Sequence, residues 1–118
     1  MKIDLDERLL KFSVSTILFL RTLPNNDDFL IIKKQLIKSS TSAGANYEES
    51  QAGSSRADFT NKVRIALKEI RESNYWLKII REIAYTEEQR KRCEELIKES
   101  DELKNILGSI CTKTERKL

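Results

Sequence analysis

The chain has 118 residues, a formal net charge of +3, 39% hydrophobic and 35% charged residues, three Gly, one Pro and no His. That length suits one domain over residues 1–118 with a core of its own. So few Gly and Pro beside so much charge exclude a turn-rich sheet protein, the modest charge is not the footprint of a dedicated nucleic-acid binder, and the lack of His removes the commonest general base and metal ligand.

The first predicted helix covers about 4–23. Asp4 can accept from the free N–H groups of its first turn, and Glu7 stands three residues on, as in a capping box. Leu10, Val14, Ile17 and Leu18 fall on one helical face, while Leu9, Phe12, Phe19, Leu20 and Leu23 fall largely off it. A helix apolar on two faces calls for two partners, one inside the bundle and one outside it. The acidic Asp4, Asp6 and Glu7 argue against a secretory signal, and residues 12–23 are too short and too polar to span a bilayer. A cytoplasmic location and no membrane partner are expected.

Pro24, Asn25 and Asn26 end this helix, and a second runs over about 27–52, with Leu30, Ile31, Leu36 and Ile37 as its apolar anchors. Residues 39–45 are all small, and Gly44 costs about 1 kcal/mol relative to Ala in a helix interior. We read one continuous helix whose small side chains let a neighbour approach closely, with Gly53 as its stop. A third helix over about 56–84 opens on Ser55 and Asp58, with Ser54 as a turn residue. It repeats Phe59, Val63, Ala66, Ile70, Leu77, Ile80 and Ala84 at three- and four-residue steps, with Trp76 and Ile83 beside the stripe. The fourth, about 87–113, starts after Thr86 with Gln89 three residues on. Leu96, Ser100, Leu103, Leu107 and Ile110 form its seam, and Lys113, Arg116 and Lys117 stand at or beyond its end. Short links make neighbouring helices antiparallel, so the expected fold is an all-α up-down-up-down four-helix bundle.

Catalytic chemistry finds little support. Cys93 and Cys111 lie in apolar helical patterns, in no Cys-x-x-Cys spacing, and read as small buried side chains. The three glycines do not cluster into a phosphate loop. Glu48, Glu49, Glu69 and Glu72 are in principle enough to hold a hard cation, but Lys62, Arg64, Lys68 and Arg71 are close in sequence to neutralise them. No catalytic residue, metal or cofactor is expected. Asn46 is unusual inside a helix, and a bond across the bundle to Glu69 or Glu72, with Glu49 nearby, is expected to fix register. Arg56, Lys62, Arg64, Lys68 and Arg71, joined by Lys33, Lys34 and Lys38, suggest a basic strip over the second and third helices. Such a strip attracts RNA or DNA backbones without reading sequence.

Residues 35–53 read QLIKSSTSAGANYEESQAG, followed by SSRADF at 54–59, IALKEIRES at 65–73, YWL at 75–77 and ELKNILGSICTK at 102–113. In order and spacing these resemble the small bundle proteins of the 23S ribosomal RNA intervening-sequence family, and more distantly the accessory proteins of diversity-generating retroelements. The resemblance implies a left-handed bundle, assembly into a homopentameric ring, no enzyme activity, and an origin in or near elements inserted in bacterial rRNA genes. The family's role is largely unassigned. Asn46, Glu49, Asp58, Phe59, Glu69, Glu72 and Trp76 match its pattern, with no catalytic role attached. The retroelement relatives bind nucleic acid and a reverse transcriptase, but this chain is less basic than that role favours. Three functions follow as candidates: an oligomer that binds RNA or DNA, a scaffold for a protein partner without nucleic-acid affinity, and a metal enzyme built on Glu48, Glu49, Glu69 and Glu72.

Overall fold

A computed structural model describes residues 4–53 and 55–117. It is all-α, with no strand among the described residues, and its four helices are α1 (Leu5–Leu20), α2 (Asp27–Ser50), α3 (Arg56–Ile83) and α4 (Glu87–Lys117). The expectation for Ser54 lies outside the described residues, as do those for the side chains of Arg116 and Lys117.

Local chemistry explains where the helices begin and end. Asp4 accepts from the Glu7 N–H at 3.2 Å, Asn26 from Phe29 at 3.1 Å and Ser55 from Asp58 at 3.1 Å. Thr86 and Gln89 close a reciprocal box: the Gln89 N–H donates to the Thr86 hydroxyl at 3.1 Å, and the Thr86 N–H donates to the Gln89 carbonyl oxygen at 3.2 Å. Each satisfies donors that a first helical turn leaves free. α2 runs unbroken through Gly44, and the chain leaves it through Gly53, whose φ of +83° is open to glycine without a Cβ penalty.

Each helix packs on the next in the chain, and α1 also meets α4, so α1 and α3 face each other across the core. Leu9 lies against Gly44, and the Ser13 hydroxyl donates to the Ser40 carbonyl at 2.9 Å. α2 and α3 meet at the Ser39–Ser73 hydroxyl pair, 2.7 Å apart. α3 and α4 meet where the Asn74 amide donates to the Ser100 hydroxyl at 2.8 Å and to Asp101 at 3.0 Å. α1 and α4 are joined by Arg8, which donates to both carboxylate oxygens of Glu99, at 3.0 and 2.6 Å. Arg8 is held more firmly protonated than usual, first by this hydrogen bond to Glu99.

The core is filled by Leu9, Phe12, Leu20, Phe29, Leu36, Ile70, Leu77, Ile80, Leu103 and Leu107, all essentially inaccessible. The expected stripes of α3 and α4 point inward at Val63, Ala66, Ile70, Leu77, Ile80, Leu96, Ser100, Leu103 and Leu107. The phase of α2 differs from expectation. Leu36 is buried, but Leu30, Ile31 and Ile37 are 41%, 63% and 37% exposed, and Phe29, Ile32, Ser39, Ser40 and Ala43 take the inner face. That face wins because it buries an aromatic ring and continues into small residues that admit α1 and α3. α1 resolves in the same way. The row with Phe12 and Phe19 turns inward and the aliphatic row Leu10, Val14 and Leu18 turns to solvent, as expected from a helix apolar on two faces.

Candidate nucleic-acid interface

The expected basic strip is divided by the helical rotation of α3. Lys62 turns toward α2 and stands 3.6 Å from Glu49, whereas Arg64, two residues on, turns toward α4 and donates to Glu115 at 3.1 Å through Nε. Two residues on a helix are separated by about 200°, so these cations cannot share a face. Pairing with α2 sets a second limit. Because Ser39 meets Ser73 and Glu49 meets Lys62, Lys33, Lys34 and Lys38 lie beside the later half of α3, away from Arg56 at its start.

The cations also differ in availability. Lys33 is half-buried, and its ammonium donates to the Leu23 carbonyl and to Asn25, both at 2.7 Å, so it ties down the end of α1. Burial pushes its pKa below the usual lysine range. Lys34, Lys38, Arg56, Lys68 and Arg71 are exposed, and Lys38 and Lys68 both stand near Glu69. The Glu69 carboxyl is raised above the usual range, first by burial and then by Glu72, with the two lysines opposing.

What α3 does form is an unbroken outer ridge of Asn61, Arg64, Lys68, Arg71, Tyr75 and Lys78, every member exposed and none acidic. The first carboxylate along it is Glu82. Tyr75 and Lys78 were not among the expected binding residues, although the steps of four, three, four and three from Arg64 are legible in the chain. Tyr75 is 59% exposed and sits edge-on against Trp76, with ring centroids 5.3 Å apart and planes at 67°. The Trp76 indole N–H donates to Glu72 at 3.2 Å.

The expected polar network around Asn46 is not built. Its amide donates back to the Ser42 carbonyl at 2.9 Å and hydroxyl at 3.1 Å, one turn away on α2, while Glu49 pairs with Lys62 and Glu72 with Trp76. Asn46 is only partly buried and satisfies itself locally, so no burial penalty drives it across the bundle. Buried polar contacts between helices form elsewhere: Ser13 with the Ser40 carbonyl, Ser39 with Ser73, Asn74 with Ser100 and Asp101, and Cys93 with the Leu77 carbonyl.

Among the described residues, no three Cys, Asp or Glu side chains converge as a metal site. Cys93 is buried, its thiol donates to the Leu77 carbonyl at 2.9 Å, and burial pushes its pKa up to about 12, so it stays protonated and unreactive. Cys111 is also buried and shifted upward by burial. No described helix is long and apolar enough to cross a membrane.

Comparison with known proteins agrees with this picture. The chain is similar to a crystallographically solved protein of unknown function of the S23 ribosomal protein family from Bacteroides thetaiotaomicron VPI-5482. The two share 38% identity over 91% of this chain and 97% of the other, with a TM-score of 0.78. Among curated proteins none matches. The family model for 23S rRNA-intervening sequence proteins matches residues 2–109. With four helices, the expected core stripes and that match over nearly the whole chain, the protein belongs to the 23S rRNA-intervening sequence protein family.

Proposed function

We propose that copies of this chain assemble into a non-enzymatic ring, held together by the outer apolar faces of α1 and α2, whose basic surfaces bind RNA or DNA in the bacterial cytoplasm. The observation that carries the reading is the aliphatic row Leu10, Val14 and Leu18, exposed by 65%, 48% and 50% on one side of a helix whose other side is fully used by the core. An apolar row of that extent favours a covering partner over water. Leu30 and Ile31 add exposed apolar area on the adjoining helix. In a ring that contact is head-to-tail, the α1 row of one copy against the Leu30 and Ile31 surface of the next, and it needs no additional protein. The number five rests on the family resemblance.

Within each subunit, the contacts support an up-down-up-down order. Residue 9 meets 44 while 23 meets 33, 62 meets 49 while 73 meets 39, and 64 meets 115 while 77 meets 93, so numbers fall on one helix as they rise on its neighbour. The left-handed turn of the bundle is taken from the resemblance.

A protein-partner scaffold is the second reading. It is favoured by the pairing of Lys62 with Glu49 and Arg64 with Glu115, which neutralises part of the basic surface. Sedimentation velocity over a hundredfold dilution, with titration of single-stranded RNA and duplex DNA at rising salt, tests both. An assembly whose affinity falls steeply with salt supports nucleic-acid binding. An assembly that binds neither at low salt, yet retains a protein partner after nuclease treatment, supports the scaffold. A well-folded monomer refutes the assembly.

A further inference from the structure

We propose that the outer ridge of α3 is a track for single-stranded nucleic acid, with Arg64, Lys68, Arg71 and Lys78 against successive phosphates and Tyr75 as a platform on which one base stacks. This rests on the nucleic-acid reading above and names its site and the form of its ligand.

Three observations carry it. The first is continuity. From Arg64 to Lys78 the ridge extends about 21 Å along the helix at 1.5 Å per residue. Every side chain facing outward on it is basic, aromatic or amide. That length suits about four nucleotides, the small end of single-strand sites. The neighbouring carboxylates are engaged elsewhere: Glu72 accepts from the Trp76 indole, and Glu69 is half-buried beside Lys38 and Lys68. Glu115 is the exception, since it holds Arg64 and must yield to a phosphate there.

The second is the aromatic ring. Tyr75 interrupts the cations between Arg71 and Lys78, more than half exposed, with its edge steadied by Trp76, which is itself fixed to Glu72. With 59% exposure the Tyr75 ring stays open to a base. A base in a duplex is already stacked on both faces and cannot use it, whereas a base in a single strand can.

The third is position. α3 lies across the core from α1, so covering the aliphatic face of α1 with another copy leaves the ridge facing outward. An assembly would then present one track per subunit.

The test uses the full chain and fluorescence anisotropy with labelled mixed-sequence 12-nucleotide single strands of RNA and of DNA, each measured against its own duplex. At least one single strand should bind more tightly than its duplex. Four phosphate contacts predict a log–log salt slope of about −3 for each strand bound to a subunit. Tyr75→Ala should weaken single-strand binding roughly 5- to 100-fold, leave the salt slope and duplex affinity unchanged, and be rescued by Tyr75→Phe. Arg71→Gln should flatten the slope by about 0.7. As a second readout, with circular dichroism confirming that the variant is folded, the single Trp76, in contact with Tyr75, should change its emission on strand binding in the parent and not in Tyr75→Ala. Equal affinity for strands and duplexes, or Tyr75→Ala indistinguishable from the parent, overturns the track and leaves general nucleic-acid binding standing. Absence of any binding at low salt overturns both.

Discussion

Replacing Leu10, Val14 and Leu18 together by Gln should break the assembly and leave the subunit folded. The three are exposed by 65%, 48% and 50% in the isolated subunit and lie outside the core. Fully burying a Leu or Val side chain contributes about 1.5–3 kcal/mol. Covering the exposed half of each therefore contributes roughly 1 kcal/mol, or about 3 kcal/mol for the row. Removing that weakens association roughly 150-fold at 1.4 kcal/mol per factor of ten. Gln is close to Leu in helix propensity and better than Val, so α1 itself should not suffer. Sedimentation velocity across a dilution series reads the association, and far-ultraviolet circular dichroism reads the fold. A triple variant that assembles as tightly as the parent refutes the argument, and so does a parent that is monomeric at micromolar concentration.

Other outcomes follow from individual sites. Gly44→Ala should stabilise the protein by about 0.5–1 kcal/mol in urea melts, because a Cβ there meets Leu9 Cβ at an ordinary 3.7 Å and the substitution lowers the entropy of the unfolded chain. Thr16→Val should stabilise by about 1 kcal/mol, since the Thr16 hydroxyl is buried without a hydrogen-bond partner among the described residues. Glu69→Gln should raise Tm at pH 7. Burial and Glu72 raise the folded-state pKa of Glu69, so its ionised form weighs against the native state in full above that pKa. The penalty lifts as pH falls through the folded pKa and is gone below the unfolded value of about 4.3. The gain from Gln should disappear below about pH 4, and a gain that persists there excludes this cause.

Much of this molecule is local and therefore legible in the chain. Asp4, Ser55, and Thr86 with Gln89 cap the helices they were expected to start, because a cap needs only a side-chain oxygen within one turn of free N–H groups. The α3 and α4 stripes were equally readable, since each has one clear apolar face and Gly44 alone is too weak to break α2. The proposed ridge is only half legible: Arg64, Lys68 and Arg71 stand out as a run of charge in the chain, but charge counting joins Lys33 and Lys62 to them and leaves out Tyr75 and Lys78.

Where a helix carries two apolar faces, its own residues cannot decide which one turns inward. Leu10, Val14 and Leu18 match the helical period as well as Leu9, Phe12 and Phe19 do, and in α2 Leu30, Ile31 and Ile37 compete with Phe29, Ile32 and Leu36. Packing against α3 and α4 decided both, because the rows with aromatic rings fill the shared core and the aliphatic rows do not. Packing likewise left Asn46 with Ser42 and brought Ser39 to Ser73 and Asn74 to Ser100 as buried polar contacts between helices. Helix existence and the starting caps were thus determined by sequence alone, since they depend on neighbours within four residues, whereas α1 stops at Leu20 and not 23, and α4 runs on to Lys117 and not 113. Rotation about each helix axis, and with it which side chains meet water or one another, was decided only when four helices competed for one interior.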